Sequence, residues 1–178
     1  KAREFTIFVF VSMLAYNTQD LILEPYGGHV FGMTPGESTA LGGKLHAGAL
    51  LGMILVFSLG LARAAHGWGR PGFLRLIPST ATLVATGCVG SGVALLSLGF
   101  GGLLSSAWPL EANVMLLGFA NGVFAVAAIG AMMGLASRGA SGERRDGREG
   151  VRMGVFGAAQ SVGFALGAGL GALSLAAL

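Results

Sequence analysis

Residues 110–136 read LEANVMLLGFANGVFAVAAIGAMMGLA, and Glu111 is the one charged side chain among them. A helix of about 20 mostly apolar residues crosses the hydrocarbon core of a bilayer, so this stretch predicts a transmembrane helix. Four other segments have the same character. The predicted spans are 5–23, 39–62, 76–100, 110–136 and 151–178. The predicted fold class is therefore an all-α polytopic membrane protein with about five transmembrane helices.

The composition of the whole chain agrees with this reading of its segments. Of its 178 residues, 53% are hydrophobic and 11% are charged, and the mean hydropathy is +0.74. A soluble domain carries about 25% charged residues. So few charged residues cannot cover the surface of a folded protein of this size in water. The composition therefore favours lipid as the surrounding solvent.

The charges of the connecting segments predict the orientation of the spans. Basic residues precede the first span and follow the second and the fourth, whereas the segment 20–38 contains three acids and no Lys or Arg. By the positive-inside rule, the Lys1 end is predicted to be cytoplasmic. Because the basic residues are divided among short segments, nucleic-acid binding is not predicted despite a pI near 9.6. Pro25, Pro35, Pro71 and Pro109 fall in the predicted connections, where helices are expected to begin or end.

Small residues recur at a spacing that suits close helix packing. Gly118 and Gly122 are four residues apart, and Gly163, Gly167 and Gly171 form a row on the last predicted span. Such spacings allow two helix backbones to approach in a membrane. The row is predicted to be a packed face, either within the protein or against a partner.

Polar residues inside spans are costly and are therefore candidate functional residues. Asn17, Asp20 and Glu24 share one helix face if the first helix continues to Pro25. Two interpretations remain open for them. They mark a helix end entering the outer head-group region, or they line a central cavity.

Three further residues are candidates for contact with a ligand inside the membrane. Asn121 and Gln160 lie deep in their spans and are expected to form interhelical hydrogen bonds or to contact a ligand, including the magnesium of a pigment. His46 lies near the start of the second span. Its two possible roles are a structural histidine with a hydrogen bond and a cofactor ligand. The sequence contains no Walker motif, Cys-x-x-Cys pair, paired metal histidines or nucleophile elbow, so neither an enzyme nor a metal site is predicted.

Four stretches resemble one known family. They are 15–28 (AYNTQDLILEPYGG), 30–39 (VFGMTPGEST), 117–130 (LGFANGVFAVAAIG) and 149–160 (EGVRMGVFGAAQ). The chain resembles the PucC family, the bacteriochlorophyll-delivery branch of the major facilitator superfamily, which also includes the LhaA-type assembly factors. The resemblance implies that the chain is the C-terminal half of a twelve-helix protein and covers helices seven to eleven, which agrees with the odd number of spans.

The resemblance also implies a function. An assembly factor for bacterial light-harvesting complexes is expected, located in the intracytoplasmic photosynthetic inner membrane. Bacteriochlorophyll is the expected cargo or bound pigment. Antenna polypeptides or the reaction-centre complex are the expected partners. Two alternatives remain open: a secondary transporter of a small molecule, and a structural subunit retained in a photosynthetic complex.

Overall fold

Five α-helices make up the computed structural model, which describes residues 2–65, 78–104, 108–138 and 148–176. They are α1 (Ala2–Phe31), α2 (Pro35–Ala65), α3 (Thr80–Leu104), α4 (Leu110–Arg138) and α5 (Arg148–Ala176). Each contains a stretch of 21 to 29 residues that is long and apolar enough to cross a membrane. The described ranges contain no strand. The prediction of an all-α membrane protein with about five spans is confirmed.

The end of the first helix is a correction to the sequence analysis. The first span was predicted to end at Leu23, before Pro25, but α1 continues through Pro25 to Phe31. Proline removes one backbone hydrogen bond, and membrane helices tolerate this loss. The helix ends at Gly32, whose φ of 64° is a left-handed conformation that glycine adopts without steric cost. The connection to α2 is therefore residues 32–34, and most of the segment 20–38 is helical.

The start of α2 carries a capping box that the sequence analysis did not identify. The backbone N–H of Thr34 donates to Glu37 Oε2 at 2.8 Å, and the Glu37 N–H donates to Thr34 Oγ1 at 3.4 Å. Pro35 is the first residue of the helix, where its missing N–H costs nothing. The motif Thr-Pro-Gly-Glu thus begins a new helix after a connection of three residues.

The other predicted spans match α2 to α5 to within about one helical turn at each end. Pro35 and Pro109 lie at the start of α2 and directly before α4, as expected for helix boundaries. Pro71, predicted to lie in a connection, falls outside the described residues.

The first of two compact units comprises Lys1–Ser38 and Ala131–Leu178. Here α1 packs along α5, and the two helices run parallel, because successive glycines of α5 meet successive turns of α1. Val9, Met132 and Phe156 are buried together, with Phe8 and Met13 packed against them. The burial of these apolar side chains joins α1, α5 and the end of α4.

The second unit comprises Thr39–Gly130 and contains most of α2, all of α3 and most of α4. In it α2 and α4 run parallel, while α3 runs antiparallel to α4. Leu41, Leu45, Val114 and Leu117 are its largest fully buried side chains. All four lie on α2 and α4, so the contact between these two helices is the core of this unit.

Candidate functional site

The three-glycine row of α5 lies against α1. A Cβ atom added at Gly163 would lie 2.8 Å from the carbonyl oxygen of Phe10, and one at Gly167 would lie 2.5 Å from that of Leu14. Real Cβ atoms do not approach a backbone this closely. Of the two interpretations of the row, a packed face within the protein is the one found in this structure.

Two polar side chains of α1 reinforce the same contact. Asn17 Nδ2 donates to the carbonyl oxygen of Phe164 at 2.6 Å, and Thr18 Oγ1 lies 3.1 Å from the carbonyl oxygen of Gly167. Asn17 was a predicted candidate, whereas Thr18 was missed although it is a polar residue inside a span. Asn17 therefore bonds α1 to α5. The single hydroxyl proton of Thr18 is shared between this α5 acceptor and the Leu14 carbonyl of its own helix, which lies 2.9 Å from Thr18 Oγ1.

The remaining candidates of the first unit differ in exposure. Glu24 is exposed, whereas Asp20 and Gln160 are half-buried. Because α1 continues to Phe31, Asp20 lies near the middle of the span Thr6–Phe31 rather than close to its end. A shared face for Asn17, Asp20 and Glu24 required the first helix to continue to Pro25, and all three residues do lie on the continuous helix α1.

The second unit contains a reciprocal glycine contact between α2 and α4. Gly118 and Gly122 of α4 lie against the backbone of Leu45 and Ala49, and Gly48 of α2 lies against the backbone of Met115. No space remains for a Cβ atom at these glycines. The two helix backbones therefore touch directly, and no flat ligand fits between them.

Asn121 lies beside this contact and is 7% exposed. Its Oδ1 accepts a hydrogen bond of 2.7 Å from the Ser91 hydroxyl of α3, while its Nδ2 has no hydrogen-bond partner among the described residues. The amide oxygen, which is the atom that would ligate magnesium, is thus engaged. In this structure Asn121 thus forms a hydrogen bond across the α3–α4 contact.

A second polar contact joins α3 to α4, and the sequence analysis missed it. The Asn113 amide meets the Ser97 hydroxyl at 2.7 Å. In the amide orientation that satisfies all neighbours, Asn113 Oδ1 accepts from Trp108 Nε1 at 3.1 Å and Nδ2 donates to the Ala94 carbonyl at 3.2 Å. The presence of Ser91 and Ser97 in α3 was the available signal, but serines are common in membrane helices.

His46 lies on an exposed face of α2. Gly43, Ala47 and Leu50 occupy the same face and are also exposed. A Cβ atom at Gly43 would meet no described atom within 4 Å. No described side chain therefore covers the α2 backbone one turn before the His46 imidazole. The His46 side chain forms no hydrogen bond within the part of the chain that the structure describes. The adjacent Lys44 forms an ion pair with Glu111 of α4.

This face, here called the His46 face (Gly43, His46, Ala47 and Leu50), is the candidate site for a flat apolar ligand. Imidazole nitrogen is a common metal ligand, and the face combines it with an apolar surface free of bulky neighbours. Within the described ranges, no group of three or more His, Cys, Asp or Glu residues is arranged to hold a metal ion by itself.

Comparison with known proteins gives one family and several relatives. A family model described as "PUCC protein" matches residues 1–178. The bacteriochlorophyll synthase 44.5 kDa chain of Rhodobacter capsulatus is 48% identical over 172 residues, which cover 97% of this chain and 36% of that protein. An uncharacterised protein of the puhA-bchM intergenic region of the same species is 31% identical, with 92% and 30% covered.

A more distant relative carries the family's own name. Protein PucC of Cereibacter sphaeroides is 26% identical over 163 residues, which cover 87% of this chain and 29% of that protein. The chain thus spans about a third of the length of these relatives. No solved structure matches it.

Proposed function

The chain belongs to the PucC protein family, and from this premise we propose that it acts in the assembly of bacterial light-harvesting complexes by binding or delivering bacteriochlorophyll. The observation that carries the proposal is the 48% identity, over 97% of the chain, to a protein named as a bacteriochlorophyll synthase chain. Its partners in this proposal are antenna polypeptides or the reaction-centre complex, in the photosynthetic inner membrane with the Lys1 end cytoplasmic.

In the same proposal, the chain supplies helices seven to eleven of a twelve-helix, major-facilitator-like protein. Its share of about a third of each relative's length leaves room for further spans in the whole protein. The parallel pairing of α1 with α5 and of α2 with α4 agrees with spans that alternate in direction. The mode of action proposed here is binding, not catalysis.

An apolar ligand suits the way the polar groups of the spans are used. Asn17, Thr18, Asn113 and Asn121 all bond neighbouring helices. The exposed faces that remain are rich in Leu, Val, Ile and Phe. Neutral, largely apolar molecules are therefore better matched to these faces than sugars or ions are.

The His46 face is the proposed contact for the pigment. Bacteriochlorophyll, if bound, would supply a flat ring that carries a magnesium ion, and His46 would hold that ion. His46 offers the nitrogen, and Gly43 leaves the helix surface open for a ring beside it. Leu50, which is 58% exposed, extends the apolar surface by one turn.

Pigment analysis of the protein purified in mild detergent tests this proposal. We expect bacteriochlorophyll to copurify, and His46→Ala to lower the bound pigment several-fold. His29→Ala is the matched control, since His29 is also exposed but lies on α1. The proposal is wrong if the wild-type protein carries no pigment and a strain without this protein accumulates normal antenna complexes. Copurification with a mature photosynthetic complex at a fixed stoichiometry would identify a structural subunit instead.

One observation favours a second candidate, a secondary transporter. Asp20 is half-buried near the middle of the span Thr6–Phe31, and ionisable groups at such depth often couple transport to ions. A transporter would show substrate flux into vesicles that Asp20→Asn abolishes. An assembly factor would show no such flux.

A further inference from the structure

An apolar groove of about 420 Å³ lies among α2, α3 and α4 of the second unit. Its volume falls within the range of about 300–1,000 Å³ that is typical of small-molecule sites. Most of its lining is aliphatic or aromatic. Arg63 and Thr80 are its polar members. The groove lies further along α2 than the His46 face, shares no residue with it and has a different chemistry.

The groove is closed at its floor and open along one side. Val56 and Ala127 form the floor and are 8% and 2% exposed, whereas Phe57 and Leu61 at its rim are 68% and 60% exposed. Val56 precedes Arg63 by two helical turns, so the groove extends about 10 Å along α2 from the level of the arginine. An elongated hydrocarbon chain matches this shape better than a broad ring does.

The charged end of the groove lies at the end of α2 and the start of α3. Arg63 is in the last turn of α2, and Thr80 is the first residue of α3. Basic residues at the end of a membrane helix are expected at head-group level on the cytoplasmic side.

From this combination we propose that the groove binds an anionic phospholipid, with one acyl chain along Val56, Phe57 and Ala127 and the phosphate at Arg63. Basic pockets between membrane helices bind anionic head groups through charge-assisted hydrogen bonds. A guanidinium group has five N–H donors, so Arg63 can hold a phosphate while it keeps a contact with its own chain. Charge complementarity selects this occupant over the magnesium pigment, which is a neutral ester. The inference does not depend on the pigment proposal.

Two substitutions separate the apolar and the charged parts of the groove. A Cβ atom at Gly60 would meet no described atom within 4 Å, so Gly60→Leu fills the groove without a backbone clash. Gly92→Leu is the matched control, because Gly92 of α3 is equally open and lies outside the lining. Arg63→Gln removes the charge, and Arg63→Lys retains it.

Native mass spectrometry of the purified protein, titrated with phosphatidylglycerol or with phosphatidylcholine of the same acyl chains, gives the readout. We expect the wild type and the Gly92→Leu and Arg63→Lys variants to prefer phosphatidylglycerol by about fivefold, the effect of one basic residue at a head group. Gly60→Leu should lose most bound lipid of either kind. Arg63→Gln should bind both lipids equally, with a thermal unfolding midpoint that shows a folded protein.

Three outcomes would overturn the proposal. The first is equal binding of both lipids by the wild type. The second is unchanged phosphatidylglycerol binding in both Gly60→Leu and Arg63→Gln. In the third, Gly60→Leu loses bacteriochlorophyll and keeps the phospholipid, which would assign the groove to the pigment.

Discussion

Gly167 of α5 faces the carbonyl oxygen of Leu14 of α1 so closely that a Cβ atom at Gly167 would lie 2.5 Å from that oxygen. The carbonyl of Gly167 in turn lies 3.1 Å from the Thr18 hydroxyl of α1. The two helices are therefore in backbone contact at the centre of α5, and this contact joins residues from opposite ends of the chain.

The first prediction follows from this contact. Gly167→Ala should destabilise the protein by about 1–3 kcal/mol, because even one methyl group forces the two backbones apart. The measurement is the free energy of unfolding in detergent, together with the amount of protein that accumulates in the membrane. Gly169→Ala is the control, since a Cβ atom there meets no described atom within 4 Å. Equal stability of the two variants would contradict the α1–α5 packing.

A second prediction concerns the hydrogen bond between Ser91 and Asn121. Ser91→Ala, Asn121→Ala and the double variant form a double-mutant cycle whose coupling energy should be about 0.6 kcal/mol and at most about 1.7 kcal/mol, the range for such bonds in membrane proteins. The free energy of unfolding of the four proteins supplies the value. A coupling energy of zero would mean that the 2.7 Å contact does not stabilise the α3–α4 packing.

The ion pair between Lys44 and Glu111 gives a third prediction, of a small effect. Both side chains are partly exposed, at 38% and 62%, and Glu111 is in the first turn of α4, where water at the membrane surface would screen their attraction. Lys44→Gln should lower the free energy of unfolding by at most about 1 kcal/mol, and 1 M salt should remove the difference from the wild type. A larger effect that persists in salt would place the pair in a dry environment.

The orientation of the spans is the subject of a fourth prediction. In a protein with the exposed Cys88 replaced by Ser, a cysteine at Gly142 should be labelled only from the cytoplasm, and one at Gly36 only from the outer side. Gly36 is in the first turn of α2, with open space for a side chain among the described atoms. Labelling of both sites from one face would be incompatible with spans that alternate in direction.

The extent of α1 shows how far local sequence reasoning reaches. Pro25 indicated a helix end, because proline breaks helices in water. In a membrane the remaining backbone groups still need hydrogen-bond partners, and a continued helix supplies them at the cost of one lost bond. The true boundary had local signals of its own, in Gly32 and in the capping pair Thr34 and Glu37. Both signals are local and can be read from the sequence, unlike the tolerance of the membrane helix for Pro25.

The candidate residues show a different limit. Asn17 and Asn121 were recognised as polar groups that require partners, and both have them. Their partners, the Phe164 carbonyl and the Ser91 hydroxyl, were not identified, because a carbonyl is present at every position and a serine in a span is unremarkable. The groove at Arg63 was not anticipated at all, since its lining comes from three helices that are separate in the sequence.

The sequence by itself determined that this protein crosses the membrane about five times, because the transfer of a helix into lipid depends on the sum of side-chain hydropathies over about 20 neighbouring residues. Only the tertiary structure decided what each helix packs against. The glycine row that contains Gly167 could pack against any helix that approaches closely. Asn17 donates to a carbonyl that lies 147 residues away in the chain. That choice depends on the complementarity of two surfaces, which the local pattern of either helix does not contain.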